Sequence, residues 1–88
     1  MAYVYLLRCA DGSFYCGWTT DLDRRVLSHG NGTGARYTRS RRPVSIAAAW
    51  SVPDRITARR LEWQVKQLSR QAKQDLVDGE ALDGAERV

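Results

Sequence analysis

A chain of 88 residues and 10.0 kDa holds one small domain, because separate cores rarely form at this length. Apolar residues make up 43% and charged residues 27%, which excludes wholesale disorder, and no apolar run is long enough to cross a bilayer as a helix. The net charge of +4 rests on twelve arginines and two lysines, a balance that suits a polyanionic partner such as nucleic acid. It is uneven: residues 1–43 carry +4, residues 44–79 carry +2 and residues 80–88 carry −2. Cys9 and Cys16 are too few for a disulfide framework and lack the companions of a zinc site. Arg8 to Gly12 interrupts any signal-like apolar stretch, so a cytoplasmic location without membrane contact is expected.

Tyr3 to Cys9 is rich in β-branched and aromatic residues and predicts a strand. Asp11-Gly12 is a turn signal, and Phe14 to Trp18 predicts the returning strand of a hairpin. A two-residue turn pairs Ala10 with Ser13 and puts Tyr5 and Tyr15 on opposite faces. A three-residue loop with Gly12 left-handed pairs Cys9 with Ser13 and sets Leu7 opposite Tyr15, so Tyr5, Leu7 and Tyr15 share a face. The second register is preferred.

Thr20 is the expected cap of a helix helped by Asp21 and Asp23, with Leu22, Val26 and His29 along one stripe and Arg25 at its edge. Gly30 is expected to end it as a left-handed cap. Gly30 to Pro43 is a polar stretch without periodicity, of the length that functional loops have. Val44 to Val52 predicts a third strand, stopped by Pro53. Asp54 or Thr57 starts a second helix with the stripe Ala58, Leu61, Val65 and Leu68, and Ser69 caps a third that runs through Val77 to Gly79. Residues 80–88 are expected to fray as an acidic tail, leaving a domain over 1–79. The expected fold is α+β: a three-stranded antiparallel sheet in the order β-β-α-β-α-α, its helices divided between two apolar faces.

The residues able to carry chemistry are Tyr5, Tyr15-Cys16-Gly17, Arg25 with His29, and Glu62. With them the chain resembles the GIY-YIG nuclease superfamily, and within it small single-domain bacterial members, from residue 3 to about residue 78. Val4-Tyr5 stands for the family's Ile-Tyr and Tyr15-Cys16-Gly17 for its Tyr-Ile-Gly, and Arg25-x-x-x-His29 follows at the family's spacing. The loop Gly32 to Thr38 with Arg41-Arg42-Pro43 is similar to that of the bacterial group, and Glu62 matches the metal-binding glutamate. Tyr3 replaces the first glycine, Cys16 replaces the isoleucine, and the asparagine many members carry after the glutamate has no counterpart.

Phosphodiester hydrolysis needs an activated water, a counter-charge for the phosphorane and help for the leaving oxygen. The resemblance implies Mg²⁺ or Mn²⁺ on Glu62; the plainer reading of that residue is a solvated glutamate pairing with Lys66. Arg25 is expected to grip the scissile phosphate and His29 to donate to the phosphate or the leaving group. Tyr5 and Tyr15 are the proton-handling pair, Tyr5 favoured as base although either fits. Arg36, Tyr37, Arg39, Arg41 and Arg42 suit backbone contacts and stacking on an unpaired base. Gly32 and Gly34 are read as turns rather than a phosphate cradle, Cys9 and Cys16 as strand packing, and Trp50 and Trp63 as core.

The expected function is a metal-dependent endonuclease acting on DNA at branched or single-stranded structures, RNA being the other polyanion the chemistry admits. The rival is a nucleic-acid-binding module without activity, or a subunit of a DNA-repair complex that works with a protein partner.

Overall fold

Gly12, at φ +83°, lets the first turn close in three residues: Cys9 N–H donates to the Ser13 carbonyl and Gly12 N–H to the Cys9 carbonyl, both at 2.9 Å. The three-residue register is therefore the one formed, with Leu7 opposite Tyr15 and Tyr5 opposite Gly17. The computed structural model describes all 88 residues. In chain order they form β1 (Ala2–Arg8), β2 (Phe14–Thr19), α1 (Leu22–Asn31), α2 (Arg36–Arg39), β3 (Ser45–Val52), α3 (Arg55–Lys66), α4 (Arg70–Val77) and β4 (Glu86–Arg87).

The sheet is antiparallel in the order β2-β1-β3-β4 and has four strands, not three. The extra strand comes from the segment expected to fray. Trp50 pairs with Arg87, whose guanidinium donates to the carbonyls of Leu76 and Val77 at 3.0 and 3.1 Å and lies 5.6 Å from the Trp50 ring. Arg87 thus brings a side-chain donor to two carbonyls in the last turn of α4, a contact no local pattern announces. A second addition is α2, one turn inside the stretch read as an aperiodic loop.

Two caps differ from expectation. Asp21 rather than Thr20 caps α1, its Oδ1 accepting from Arg24 N–H at 3.2 Å. The left-handed cap is Gly32, φ +81°, whose N–H donates to the His29 carbonyl while the next N–H, of Thr33, donates to the Ser28 carbonyl. Gly30 stays helical, which extends the last turn and keeps His29 inside it. For α3 and α4 the caps are Asp54 and Ser69, as read; Leu68 lies beyond the helix it was assigned to and is 37% exposed.

Alternation along the central strand divides the helices as expected. Val4, Leu6, Cys16, Ala48 and Trp50 meet Ala58, Leu61, Val65 and Leu76 of α3 and α4 in the larger core. Tyr5, Leu7 and Ala49 face the other way, against Tyr15, Leu22, Val26 and Val44. Trp50 is core, but Trp63 is 64% exposed on α3, a correction that follows from helix phase because it stands off the Ala58-Leu61-Val65 stripe. Cys9 and Cys16 are free and buried, and burial pushes the Cys16 thiol up to about 12, so packing is what they do. No helix is long and apolar enough to cross a membrane.

Candidate active site

β2 is an edge strand, and the chemistry gathers along it. Tyr5, on the neighbouring strand and 1% exposed, lays its ring across Gly17. A Cβ at Gly17 would stand 2.5 Å from the Tyr5 hydroxyl, which is why the third residue of Tyr15-Cys16-Gly17 has no side chain. The Tyr5 oxygen lies 2.9 Å from His29 Nε2 and accepts a longer bond, 3.4 Å, from Arg25 Nε. Both partners come from α1, one turn apart, on the stripe that covers this face. The other imidazole nitrogen, Nδ1, lies 2.8 Å from Thr38 Oγ1 on α2. Tyr15 packs against the same imidazole, ring centroids 5.1 Å apart, and the Tyr37 ring centroid lies 5.9 Å from that of Tyr15.

Four predicted catalytic residues, Tyr5, Tyr15, Arg25 and His29, therefore share one site. Burial pushes the Tyr5 phenol up to about 12 against the pull of Arg25, and the bond to Tyr5 raises Arg25 in turn. Burial, with Arg25 adding to it, lowers His29 and keeps the ring neutral at pH 7. His29 is 0% exposed with both nitrogens engaged, so its expected contact with phosphate is not made: it stands behind Tyr5.

This burial has a consequence for stability. A folded-state pKa below the unfolded one means that the unfolded chain binds the proton more readily. The contribution of His29 is then complete above the unfolded value of about 6.5 and is lost as pH falls below it. Urea unfolding at pH 7.5 and pH 5 is expected to show a fall in midpoint for the native chain and a smaller fall for His29→Gln. Asp11 and Asp54, also lowered, titrate beneath this window. Equal falls would show that the ring does not carry the effect.

The fifth residue stands apart. Glu62 lies on α3, which covers the opposite face; its carboxylate pairs with Lys66 Nζ at 3.4 Å, and its carbonyl faces Cys16 Sγ at 3.9 Å. It makes no hydrogen bond or ion pair with Tyr5, Tyr15 or Arg25. The helix it stands on packs its Ala58-Leu61-Val65 stripe against the sheet face opposite Tyr5. The two sides approach each other where β2 ends, in a groove lined by Trp18, Thr19, Thr20, Arg25 and Arg55.

The basic segment divides. Arg41 is tied down by Asp11 at 3.0 Å and by the Tyr37 carbonyl, with its guanidinium 3.8 Å from the Tyr37 ring centroid. Arg42 donates to the Arg39 carbonyl, whereas Arg36 and Arg39 are exposed and free of ion pairs. Thr38, Gly34 and Arg55 were not singled out as site residues. Gly34 belongs to it because a Cβ there would lie 2.5 Å from His29 Nδ1; nothing in its local pattern separates it from Gly32.

The fold and this cluster define a nuclease-type domain, and the chain belongs to the GIY-YIG family: the model of the GIY-YIG catalytic domain matches residues 1–75. Members are in general endonucleases, so nuclease activity is the class that membership suggests. Among relatives, the UPF0213 protein BH0048 of Halalkalibacterium halodurans is 52% identical over 75 residues, covering 85% of this chain and 80% of that one. The UPF0213 protein VNG_2274C of Halobacterium salinarum is 46% identical over 76 residues, with 86% and 99% covered. The solution NMR structure of BH0048, described as from Bacillus halodurans, matches with a TM-score of 0.57 at 49% identity over 96% of this chain and 87% of that one.

Proposed function

We propose that this protein is a metal-dependent endonuclease that hydrolyses phosphodiester bonds in DNA, with single-stranded or branched DNA as the preferred form. The observation that carries the reading is the buried Tyr5–His29 pair joined to Arg25 at the free edge of the sheet, beside Tyr37 and the unpaired Arg36 and Arg39. Arg25 uses only its Nε on Tyr5, leaving its terminal nitrogens to turn toward phosphate oxygens. Tyr5 handles the proton of the attacking water, and Tyr37 with Arg36 and Arg39 receives the strand.

The family resemblance implies a divalent ion, Mg²⁺ or Mn²⁺. No three carboxylate, histidine or cysteine side chains converge to cage one, but a lone carboxylate is a sufficient protein ligand where water and substrate phosphate complete the shell. Glu62 would hold it after exchanging Lys66, and when bound it supplies charge for the phosphorane and leaving oxygen. The second reading, a binding module without activity, is favoured by that Glu62–Lys66 pair and by the high pKa of Tyr5.

A cleavage panel of single-stranded, duplex, flap and junction DNA with Mg²⁺ or Mn²⁺ separates the two. The nuclease reading expects cutting that Glu62→Gln removes while binding persists. Replacing Arg36 and Arg39 by alanine is expected to weaken binding across substrates and to reduce the salt slope by about 1 for each phosphate left without its cation. Salt-sensitive binding without any cutting would establish the module instead.

A further inference from the structure

The two bonds of His29 have a direction, and it follows from Thr38. The Thr38 hydroxyl has one hydrogen and two neighbours, the Ala35 carbonyl at 3.0 Å and His29 Nδ1 at 2.8 Å. Given to the carbonyl one turn back, that hydrogen leaves Oγ1 able only to accept, so Nδ1 carries the imidazole proton. Nε2 is then the bare nitrogen, and the Tyr5 hydroxyl donates to it at 2.9 Å. The opposite arrangement lets Nδ1 accept from the Ala35 amide, but at a long 3.4 Å. It also leaves the Tyr5 hydroxyl, on a residue 1% exposed, without a protein acceptor. The shorter bonds decide for a chain running Arg25 to Tyr5 to His29 to Thr38 to the Ala35 carbonyl.

We propose that Thr38 is a positioning residue: it holds His29 as the Nδ1–H tautomer, so that Tyr5 passes its own proton to His29 Nε2 while taking one from the attacking water. This deepens the nuclease reading and rests on it. In the step one O–H bond of water breaks and its proton goes to Tyr5 Oη. The Tyr5 proton goes to Nε2, the hydroxide forms the new bond to phosphorus, and the phosphorus–oxygen bond to the leaving group breaks with its electron pair on that oxygen, which takes a proton from solvent water. The imidazolium that results keeps Nδ1–H on Thr38 and sits in the last turn of α1, where the helix dipole favours positive charge. Tyr5 stays neutral before and after the step, which removes the difficulty of a phenol whose pKa is about 12.

The chain contains one histidine, so nitrogen-15 NMR of the imidazole reads its tautomer without assignment. At pH 7.5 the proton is expected on Nδ1. In Thr38→Val the tautomers are expected to mix and kcat to fall about tenfold or more with little change in KM; Thr38→Ser is expected to restore both. The charged and titratable groups around the ring, Tyr5, Tyr15 and Arg25, are unchanged in these variants. The acid limb of the kcat–pH profile, set by His29, should therefore move to lower pH in Thr38→Val, because the acceptor that favours imidazolium is gone. A proton on Nε2, or an acid limb that does not move, overturns the relay while leaving the nuclease standing. Absence of cutting by the native chain on the whole substrate panel overturns both.

Discussion

Arg25→Ala is expected to lower cleavage about 10²–10³-fold or more, the scale seen when one fixed donor to a developing oxyanion is removed. Its bond to Tyr5 is long, 3.4 Å, so thermal stability should change little. Arg25→Lys is expected to recover little, because an ammonium offers a point charge and no planar fork. Removing the guanidinium also leaves burial of Tyr5 unopposed, which drives that phenol further from ionisation. The measurement is single-turnover cleavage with a melting curve for each variant. A loss below tenfold in a folded Arg25→Ala protein would exclude this residue as the phosphate clamp.

Two glycines four residues apart should respond to alanine with opposite signs. At Gly34 the new methyl would stand 2.5 Å from His29 Nδ1 and 3.0 Å from His29 Cα, and the second of these is backbone that has nowhere to go. Gly34→Ala is expected to cost about 1–3 kcal/mol, as overpacking does, and to suppress cleavage by breaking the Thr38–His29 hydrogen bond. At Gly30 a Cβ meets nothing within 4 Å and the backbone is helical, so Gly30→Ala is expected to stabilise by about 0.5–1 kcal/mol. Urea titrations of both variants test the pair. A destabilised Gly30→Ala would return the left-handed cap to that residue.

Legibility followed sequence distance. The hairpin register came from the three-residue turn at Gly12, and it placed Tyr5 with Tyr15 because side chains alternate along strands. The spacing of Arg25 and His29 put both on one helical stripe, which the sheet needed as cover. These are local rules, and they located four of the five predicted catalytic residues together. The contacts of Glu62 could not be read in the same way, because the phase of α3 says which side chains are buried but not which sheet face the helix covers. The helical state of Gly30 and the exposure of Trp63 turned on a residue or two of helix phase or cap choice.

The amino-acid order by itself determined the α+β class, the hairpin, two apolar sheet faces, and the family to which Tyr5, Tyr15, Arg25, His29 and Glu62 point. Periodicity and turn chemistry act over a few residues, and a short chain shows them openly. Only the tertiary structure decided that β4 closes the sheet, that α3 packs on the face opposite Tyr5, and that Thr38 and Gly34 close around His29. Each of these depends on where separate elements dock, and docking is set by the summed packing of the core rather than by any one segment's pattern.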